Sequence, residues 1–379
     1  MIDSQAQGLL GFLGAEVIRI ERPEGSEDRT IVPVTKQGDG AMFMQMNANK
    51  LGMTLDIASP QGRKIVKELV KTADVVIANM PPKTLKALEL DYQSLCDVKP
   101  DIILTSNTTF GSSGPYANKV GFDGIAQAMS GAAYYSGSPG QPPAKAAVQY
   151  VDFSTALAAT VGTLAAIMLR ERTGEGQQVE TALLATALSI TNGSIIEQAL
   201  TNINRQPTGN RSKIVAPSDV CATKDGFLVI QIVGPYMFKR WARLLGQEEW
   251  LDDPRFATDH GRGEHSDFLC DAAVRWCEQR TSAEALAELE AAKIPAGEVL
   301  SFQQALDHPY VQAMGHLKET PYPEAEEAAP VAQAPFKLSK VEIAPANRAP
   351  LLGEHTHQIL SQLGYDDKQI ISLGQNGVI

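Results

Sequence analysis

Asp74-Val75-Val76-Ile77-Ala78-Asn79 and Asp101-Ile102-Ile103-Leu104-Thr105-Ser106 are the stretches whose reading decides the fold. Each is a short run of apolar and β-branched residues closed by turn chemistry, as buried strands are. Between them, residues 84 to about 95 have helical spacing. A strand, a helix and a second strand at this distance imply a parallel sheet covered by helices. Ligands on such sheets bind outside the carboxyl ends of the strands, and Asn79 and Asn107 stand just past two of those ends.

The same reading extends in both directions. Upstream, residues 16–21 alternate like a strand, 22–40 are polar and loop-rich, and 50–57 read as extended. Ser59-Pro60 opens a helix through about Thr72, with Ser59 as N-cap and Pro60 at the first helical position. Downstream, a Gly/Ser/Pro loop at 110–116 precedes a helix around 124–129 and a glycine- and proline-rich loop at 137–143. Residues 153–172 form the longest helical candidate, and Ala156, Ala159, Gly162 and Ala166 permit close backbone packing there. Thr173-Gly174-Glu175-Gly176 supplies its stop signal. Another helix is expected over 182–200. A second region begins near Ala216, with a strand at 227–232 and helices near 237–245, 265–279 and 282–292. It is more charged, lacks the strand–helix rhythm and reads as a smaller α+β domain. Residues 319–341 read as a long extended connection, and Gly353-Glu354-His355-Thr356 opens a final helix.

Composition narrows the function classes. The 379 residues suffice for two domains, or one large domain with an insertion. A net charge of −11 argues against a general nucleic-acid binder. Phosphorylated ligands remain open, because a few local cations can hold phosphates. Cys96, Cys221, Cys270 and Cys277 form no CxxC pair and fit a reducing compartment. No apolar run is expected to reach the length of a membrane span. The segment 8–13 is short and lacks a basic leader, which argues against a signal peptide. The expectation is a cytoplasmic protein with no membrane and no nucleic-acid partner.

The chemistry centres on Asp152, in Tyr150-Val151-Asp152-Phe153-Ser154, just ahead of the small-residue helix. A carboxylate there is stabilised by unpaired backbone amides and the helix dipole. An N-cap and a nucleophile both require an ionised carboxylate at a fixed place, and spacing alone favours the cap. Asp123, in Gly121-Phe122-Asp123-Gly124, is a supporting acid or a turn or cap residue. All six histidines lie at position 260 or beyond, so the first region has no imidazole base. His355 and His357 have no third ligand nearby in sequence, and read as helix-start or surface residues rather than a zinc site. There is no G-x-G-x-x-G after a strand and no Walker A sequence. Arg19, Arg22, Arg29 and Lys50 gather positive charge near the first strand, as phosphate contacts or as solvated surface.

Taken in order, longer motifs match a known family. They include Leu13-Gly14-Ala15-Glu16-Val17-Ile18-Arg19-Ile20-Glu21-Arg22-Pro23, Asn47-Ala48-Asn49-Lys50 and Ser112-Ser113-Gly114-Pro115-Tyr116. Ala126-Gln127-Ala128-Met129-Ser130-Gly131, Glu171-Arg172-Thr173-Gly174-Glu175-Gly176-Gln177, Asp253-Pro254-Arg255-Phe256 and Pro350-Leu351-Leu352-Gly353-Glu354-His355-Thr356 continue the match over nearly the whole chain. On these segments the chain resembles the family III CoA-transferases, a group that includes formyl-CoA transferase, carnitine CoA-transferase and alpha-methylacyl-CoA racemase.

The resemblance implies an α/β fold: a Rossmann-like large domain with an inserted smaller α+β domain, in an interlocked homodimer. The expected boundaries are 1–200 for the first part of the large domain, 216–312 for the small domain, and 313–379 for a linker and the rest of the large domain. It implies CoA transfer from an acyl-CoA to a free carboxylic acid, with Asp152 as nucleophile through an aspartyl-CoA thioester. Asp123 falls where formyl-CoA transferase has a glutamate, as a supporting acid. Arg19, Arg22, Arg29, Asn79, Lys83 and Lys119 are the implied CoA contacts. No metal and no permanently bound cofactor are expected; the CoA thioester is substrate. The glycine-containing loop at 137–140 is a candidate donor to tetrahedral oxyanions. Alternatives are an acyl-CoA racemase or isomerase of the same fold, or a catalytically inactive CoA-binding homologue. Phe122 stands where the racemases carry histidine, which disfavours proton exchange. Against the family pattern, the chain starts inside the first helix, so the usual first strand and small-residue loop are expected to be absent. Pro81 replaces an arginine, with Lys83 nearby, and Gly209-Asn210-Arg211-Ser212 stands in place of a polyglycine loop.

Overall fold

A computed structural model describes residues 2–323 and 325–379. The first elements are α1 (Ile2–Phe12), β1 (Ile18–Glu21), α2 (Ala41–Met46) and β2 (Leu51–Thr54). Helix α3 (Pro60–Thr72) starts as its sequence predicts: Ser59 Oγ accepts the Gly62 amide, and Pro60 occupies the first turn, where its missing N–H removes no bond. Strand β3 (Val75–Ala78) follows. The single helix expected over 84–95 is two, α4 (Pro82–Ala87) and α5 (Tyr92–Cys96). Glu89 has φ of 58°, which interrupts a right-handed helix, and the Asp91 carboxylate caps the new one by accepting the Ser94 amide.

Next come β4 (Ile103–Thr108), α6 (Asp123–Met129), α7 (Ala132–Tyr135), α8 (Tyr150–Thr173), β5 (Gln178–Ala182) and α9 (Leu183–Thr201). Helix α8 ends at Gly174, whose φ of 75° is the left-handed cap the sequence anticipates. The chain continues through β6 (Ser218–Ala222), β7 (Phe227–Gln231), α10 (Pro235–Leu244), α11 (Asp259–Glu264), α12 (Ser266–Glu278), α13 (Ser282–Ala291) and β8 (Ala296–Glu298). It closes with α14 (Phe302–Asp307), α15 (Pro309–Ala313), β9 (Leu317–Thr320), β10 (Ala329–Ala332), α16 (Thr356–Gln362) and α17 (Asp367–Gln375). The expected extended connection thus contains a strand pair, β9 and β10, joined antiparallel.

Two compact units emerge. One comprises the chain up to Ser130 together with Ala147–Gly193 and Pro309–Ile379. Besides the antiparallel pair β9-β10, it holds two parallel sheets: β1 pairs with β2, and β3-β4-β5 form a three-stranded sheet. Met53, Ile65, Ile102, Leu104, Ile359 and Leu360 fill the core beneath them. Each such side chain contributes about 1.5–3 kcal/mol when fully buried. A separate seam of small residues, Ala6, Ala126, Ala156 and Ala159 with Val151, packs α1, α6 and α8 together. A Cβ on Gly162 would lie 2.7 Å from the Val179 side chain, so only glycine lets β5 lie this close to α8. Thr105 and Thr163 share a buried hydroxyl–hydroxyl bond of 2.7 Å that ties β4 to the same helix. The C-terminal segment returns to β2: His355 Nδ1 accepts the Gly52 amide, Thr356 Oγ1 accepts the Thr54 amide, and the Val378 carbonyl accepts the Asp56 amide.

The other unit comprises Gly131–Ala146 and Ser194–His308. Strands β6-β7-β8 are antiparallel around Leu228, Ile230, Trp241, Phe256, Trp276 and Leu289.

One expectation needs correcting. Helix α8 is long and apolar enough, by length and composition, to cross a membrane. Its Ala, Gly and Thr content hides this from a search for runs of large apolar residues.

Candidate active site

The loop that leaves the carboxyl end of β4 is fixed first. Thr109 Oγ1 donates to the Gly121 carbonyl at 2.9 Å, and a Cβ on Gly121 would sit 2.8 Å from the Thr109 methyl. That anchor delivers Asp123 as the first residue of α6. Its side chain does not cap its own helix. Asp123 Oδ2 accepts the amides of Val151 at 2.8 Å and Asp152 at 2.9 Å, both in the first turn of α8. Its Oδ1 accepts a short bond from Gln127 Nε2, one turn along α6.

The cap reading of Asp152 is therefore corrected. Helix α8 starts at Tyr150, with Gln149 at the N-cap position making no side-chain capping bond, and Asp152 is its third residue. Asp123 does the capping from 28 residues upstream. Among the described residues no group donates a hydrogen bond to the Asp152 carboxylate, although Asp152 is only 6% exposed and Asp123 4%.

The electrostatics follow from that arrangement. Burial pushes the Asp152 carboxyl up to about 6; the positive charge of the chain's amino terminus opposes this, and the neighbouring Asp123 charge adds to it. Burial also raises the Tyr150 phenol, again with a contribution from Asp123. A buried carboxylate of raised proton affinity is a better nucleophile than a solvated one. Phe122, beside Asp123, is 77% exposed and presents an apolar ring without a titratable group.

The candidate CoA residues separate into two groups. Arg19 and Arg29 are buried. Arg29 makes a two-pronged contact with the Glu21 carboxylate and donates to the Pro350 carbonyl. Arg19 donates to Ser4, Asn47 and Asp28. Both guanidinium groups stack on Phe43. Most of their donors are engaged inside the protein, which leaves them little capacity for an added phosphate. Lys50 is likewise buried against Ser4, Gln7 and Asn47.

Asn79, Lys83 and Lys119 are exposed. Asn79 follows the end of β3. The Lys83 amide donates to Asn118 Oδ1 at 3.3 Å, which brings the α4 turn alongside the loop carrying Lys119. The Lys119 ammonium lies 3.7 Å from the centre of the Tyr116 ring. Arg22 is half-exposed, in loose pairs with Glu24 at 3.5 Å and Glu27 at 3.7 Å. The loop at 137–140 belongs to the unit built around β6-β7-β8, where the Gly137 carbonyl accepts the Gly209 amide. His355 stands at the start of α16 and His357 pairs with Asp367 at the surface, the places their sequence context suggested. Gln127 was passed over in the sequence; its position four residues after Asp123, on one helical face, is the signal that could have found it.

Comparison with known proteins adds to this geometry. The family described as CoA-transferase family III matches residues 4–356. The chain is 32% identical over 368 residues to the succinate–glutarate CoA-transferase of Agrobacterium fabrum, covering 94% of this chain and 90% of that protein. It is 32% identical over 357 residues to the succinyl-CoA–D-citramalate CoA-transferase of Chloroflexus aurantiacus, covering 94% and 89%. Among solved structures, a CaiB/BaiF family protein from Brucella suis superposes with a TM-score of 0.82 at 30% identity, covering 95% of each chain.

Proposed function

Because the chain belongs to CoA-transferase family III and is a transferase, we propose that it moves CoA from an acyl-CoA to a free carboxylic acid by covalent catalysis through Asp152. The observation that carries this reading is the buried Asp152 carboxylate, whose backbone is held by Asp123 while, among the described residues, no group donates a hydrogen bond to its oxygens.

The steps balance without an added energy source. An Asp152 oxygen attacks the thioester carbonyl, the C–S bond breaks, and a mixed anhydride and CoA thiolate form. The thiolate attacks the aspartyl carbonyl, which releases the first acid as carboxylate and leaves an aspartyl-CoA thioester. The incoming carboxylate attacks that thioester, and the same two steps in reverse return CoA on the new acid. A side-chain carboxylate suits this exchange because it is as good a leaving group as the substrate acid. Phe122, next to Asp123, can carry no proton, which supports acyl transfer over racemisation.

Lys83 and Lys119, with Asn79 and Arg22, are the proposed CoA contacts. All four are accessible, and Asn79 and Lys83 follow the end of a parallel strand, where such folds bind ligands. The proposed donor is succinyl-CoA and the proposed acceptors are small dicarboxylic acids, the chemistry named for the two relatives. The proposed assembly is an interlocked homodimer of Rossmann-like large domains, each carrying an inserted small domain.

The test is chemical trapping. Incubation with succinyl-CoA followed by borohydride or hydroxylamine should modify the peptide containing Asp152, detected by mass spectrometry. Asp152→Ala should lose both the adduct and turnover with glutarate or citramalate. Unchanged turnover in that variant would overturn the reading.

A further inference from the structure

The cap of α8 is made from a distance, and one buried side chain sets it. Asp123 has two oxygens and three donors. One oxygen faces the paired amides of Val151 and Asp152, and the other faces Gln127 Nε2. A carboxylate turns easily about its terminal torsion, because that sp³–sp² rotor has broad minima. The Gln127 bond removes this freedom. Gln127 is itself only 2% exposed, so water does not compete readily for the contact.

We infer that Gln127 is a positioning residue for the reaction: through Asp123 it fixes the first turn of α8, and with it the direction in which Asp152 meets the thioester carbonyl. This rests on the covalent role proposed for Asp152. Gln127 touches no substrate in this scheme. It acts through its hydrogen bond to Asp123, in the way that outer groups hold a reacting group within fractions of an ångström of its productive place. Attack geometry is sensitive at that scale, since a displacement of about 1 Å can lower a rate about a hundredfold.

Two substitutions separate positioning from packing. Gln127→Met keeps length and volume but removes the donor. Gln127→Glu keeps a donor only while its carboxyl is protonated; once ionised, it faces Asp123 with like charge. The other titratable groups around the contact are Asp123 itself, Asp152 and Tyr150 on α8, and the chain's amino terminus, whose positive charge acts on Asp152. The segment of α1 from Ser4 to Phe12, and Leu183 to Ala187 of α9, bring no titratable side chain to this packing.

The experiment measures the single-turnover rate of adduct formation on Asp152 with succinyl-CoA, the dissociation constant of CoA, and the melting temperature. Gln127→Met should slow adduct formation by about 10- to 100-fold and leave CoA affinity within about twofold. Gln127→Glu should approach the parent rate at acid pH and fall progressively behind as pH rises, a ratio that a packing defect would not produce. A parent-like rate in Gln127→Met, or a Gln127→Glu ratio independent of pH, would overturn the inference. If Gln127→Met does not fold, the Gln127→Glu pH ratio decides alone. Failure of the underlying reading looks different: no adduct then forms on Asp152 in the unsubstituted protein either.

Discussion

Asp152 carries opposed demands on reactivity and stability. Its carboxyl is pushed up to about 6 by burial, then by the Asp123 charge. As a nucleophile it must be ionised, so kcat/KM for acyl-CoA should rise about tenfold per pH unit below that value and level off above it. Asp123→Asn should move this limb down by removing the like charge. The limb should stay above the ordinary value of 3.8, because burial is the larger cause. Stability runs the other way. A group whose folded proton affinity exceeds its unfolded one contributes stability at low pH, and that contribution is lost as pH rises from about 4 through about 6. Ionised Asp152 therefore destabilises the fold at neutral pH by on the order of 3 kcal/mol. Asp152→Asn should melt several degrees higher than the parent at pH 7.5 and show no gain at pH 4, as calorimetry at the two pH values would read. Such a trade of stability for reactivity is a usual mark of an active-site group. The residue was legible in the sequence as a carboxylate opening a helix, but its position in the first turn was not. That depends on Asp123, 29 residues away, and no local pattern encodes a cap supplied from another helix.

Elements built from local signals were read correctly, and those built from distant contacts were not. Ser59-Pro60 and Gly174 bound their helices by chemistry contained in a few residues. Strand β5 escaped because Gln178-Val179-Glu180-Thr181 is polar and largely exposed; it is a strand because β4 offers a partner and Gly162 leaves room beside α8. The break between α4 and α5 turns on Glu89, whose left-handed backbone no residue-type signal announces. The candidate CoA contacts follow the same division. Arg19 and Arg29 looked like a phosphate site because charge clustering is visible in sequence, whereas the carboxylates that occupy them are visible only in the fold. Beside Arg22, the α4 turn and the loop before α6 carry accessible cations, Lys83 and Lys119, and these two elements are linked through Asn118. Both charges are solvated, so each one's share is modest and screened by salt. The double substitution Lys83→Ala/Lys119→Ala should raise KM for succinyl-CoA about 3- to 10-fold with kcat nearly unchanged. Initial-rate measurements should show the gap narrowing between 0.05 and about 0.5 M salt, as screening shortens the reach of each charge.

At the scale of the whole molecule, the informative surface belongs to α8. Its inner face is fixed by the Thr105–Thr163 bond and the small-residue seam with α1 and α6. Its outer face exposes Leu157, Val161, Met168 and Leu169, at spacings that keep them along one side of the helix. Contiguous apolar surface of this kind on a folded protein marks a contact with something else. Lipid is one reading of an apolar helix this long. Crossing a bilayer, however, would require α8 to abandon the buried bonds that hold it against β4, together with the turn that carries Asp152. The homodimer proposed above would cover the outer face and leave the inner one intact, and closed two-fold pairing is the commonest way for a chain to do so. Sedimentation equilibrium without detergent should therefore give twice the 40.7 kDa chain mass. Val161→Glu/Met168→Glu places two charges on the outer face, far enough along α8 to spare Asp152. It should shift the species toward the single-chain mass and lower the melting temperature. A parent protein that sediments as one chain, or that floats with phosphatidylcholine vesicles in a density gradient, would assign this face to another partner.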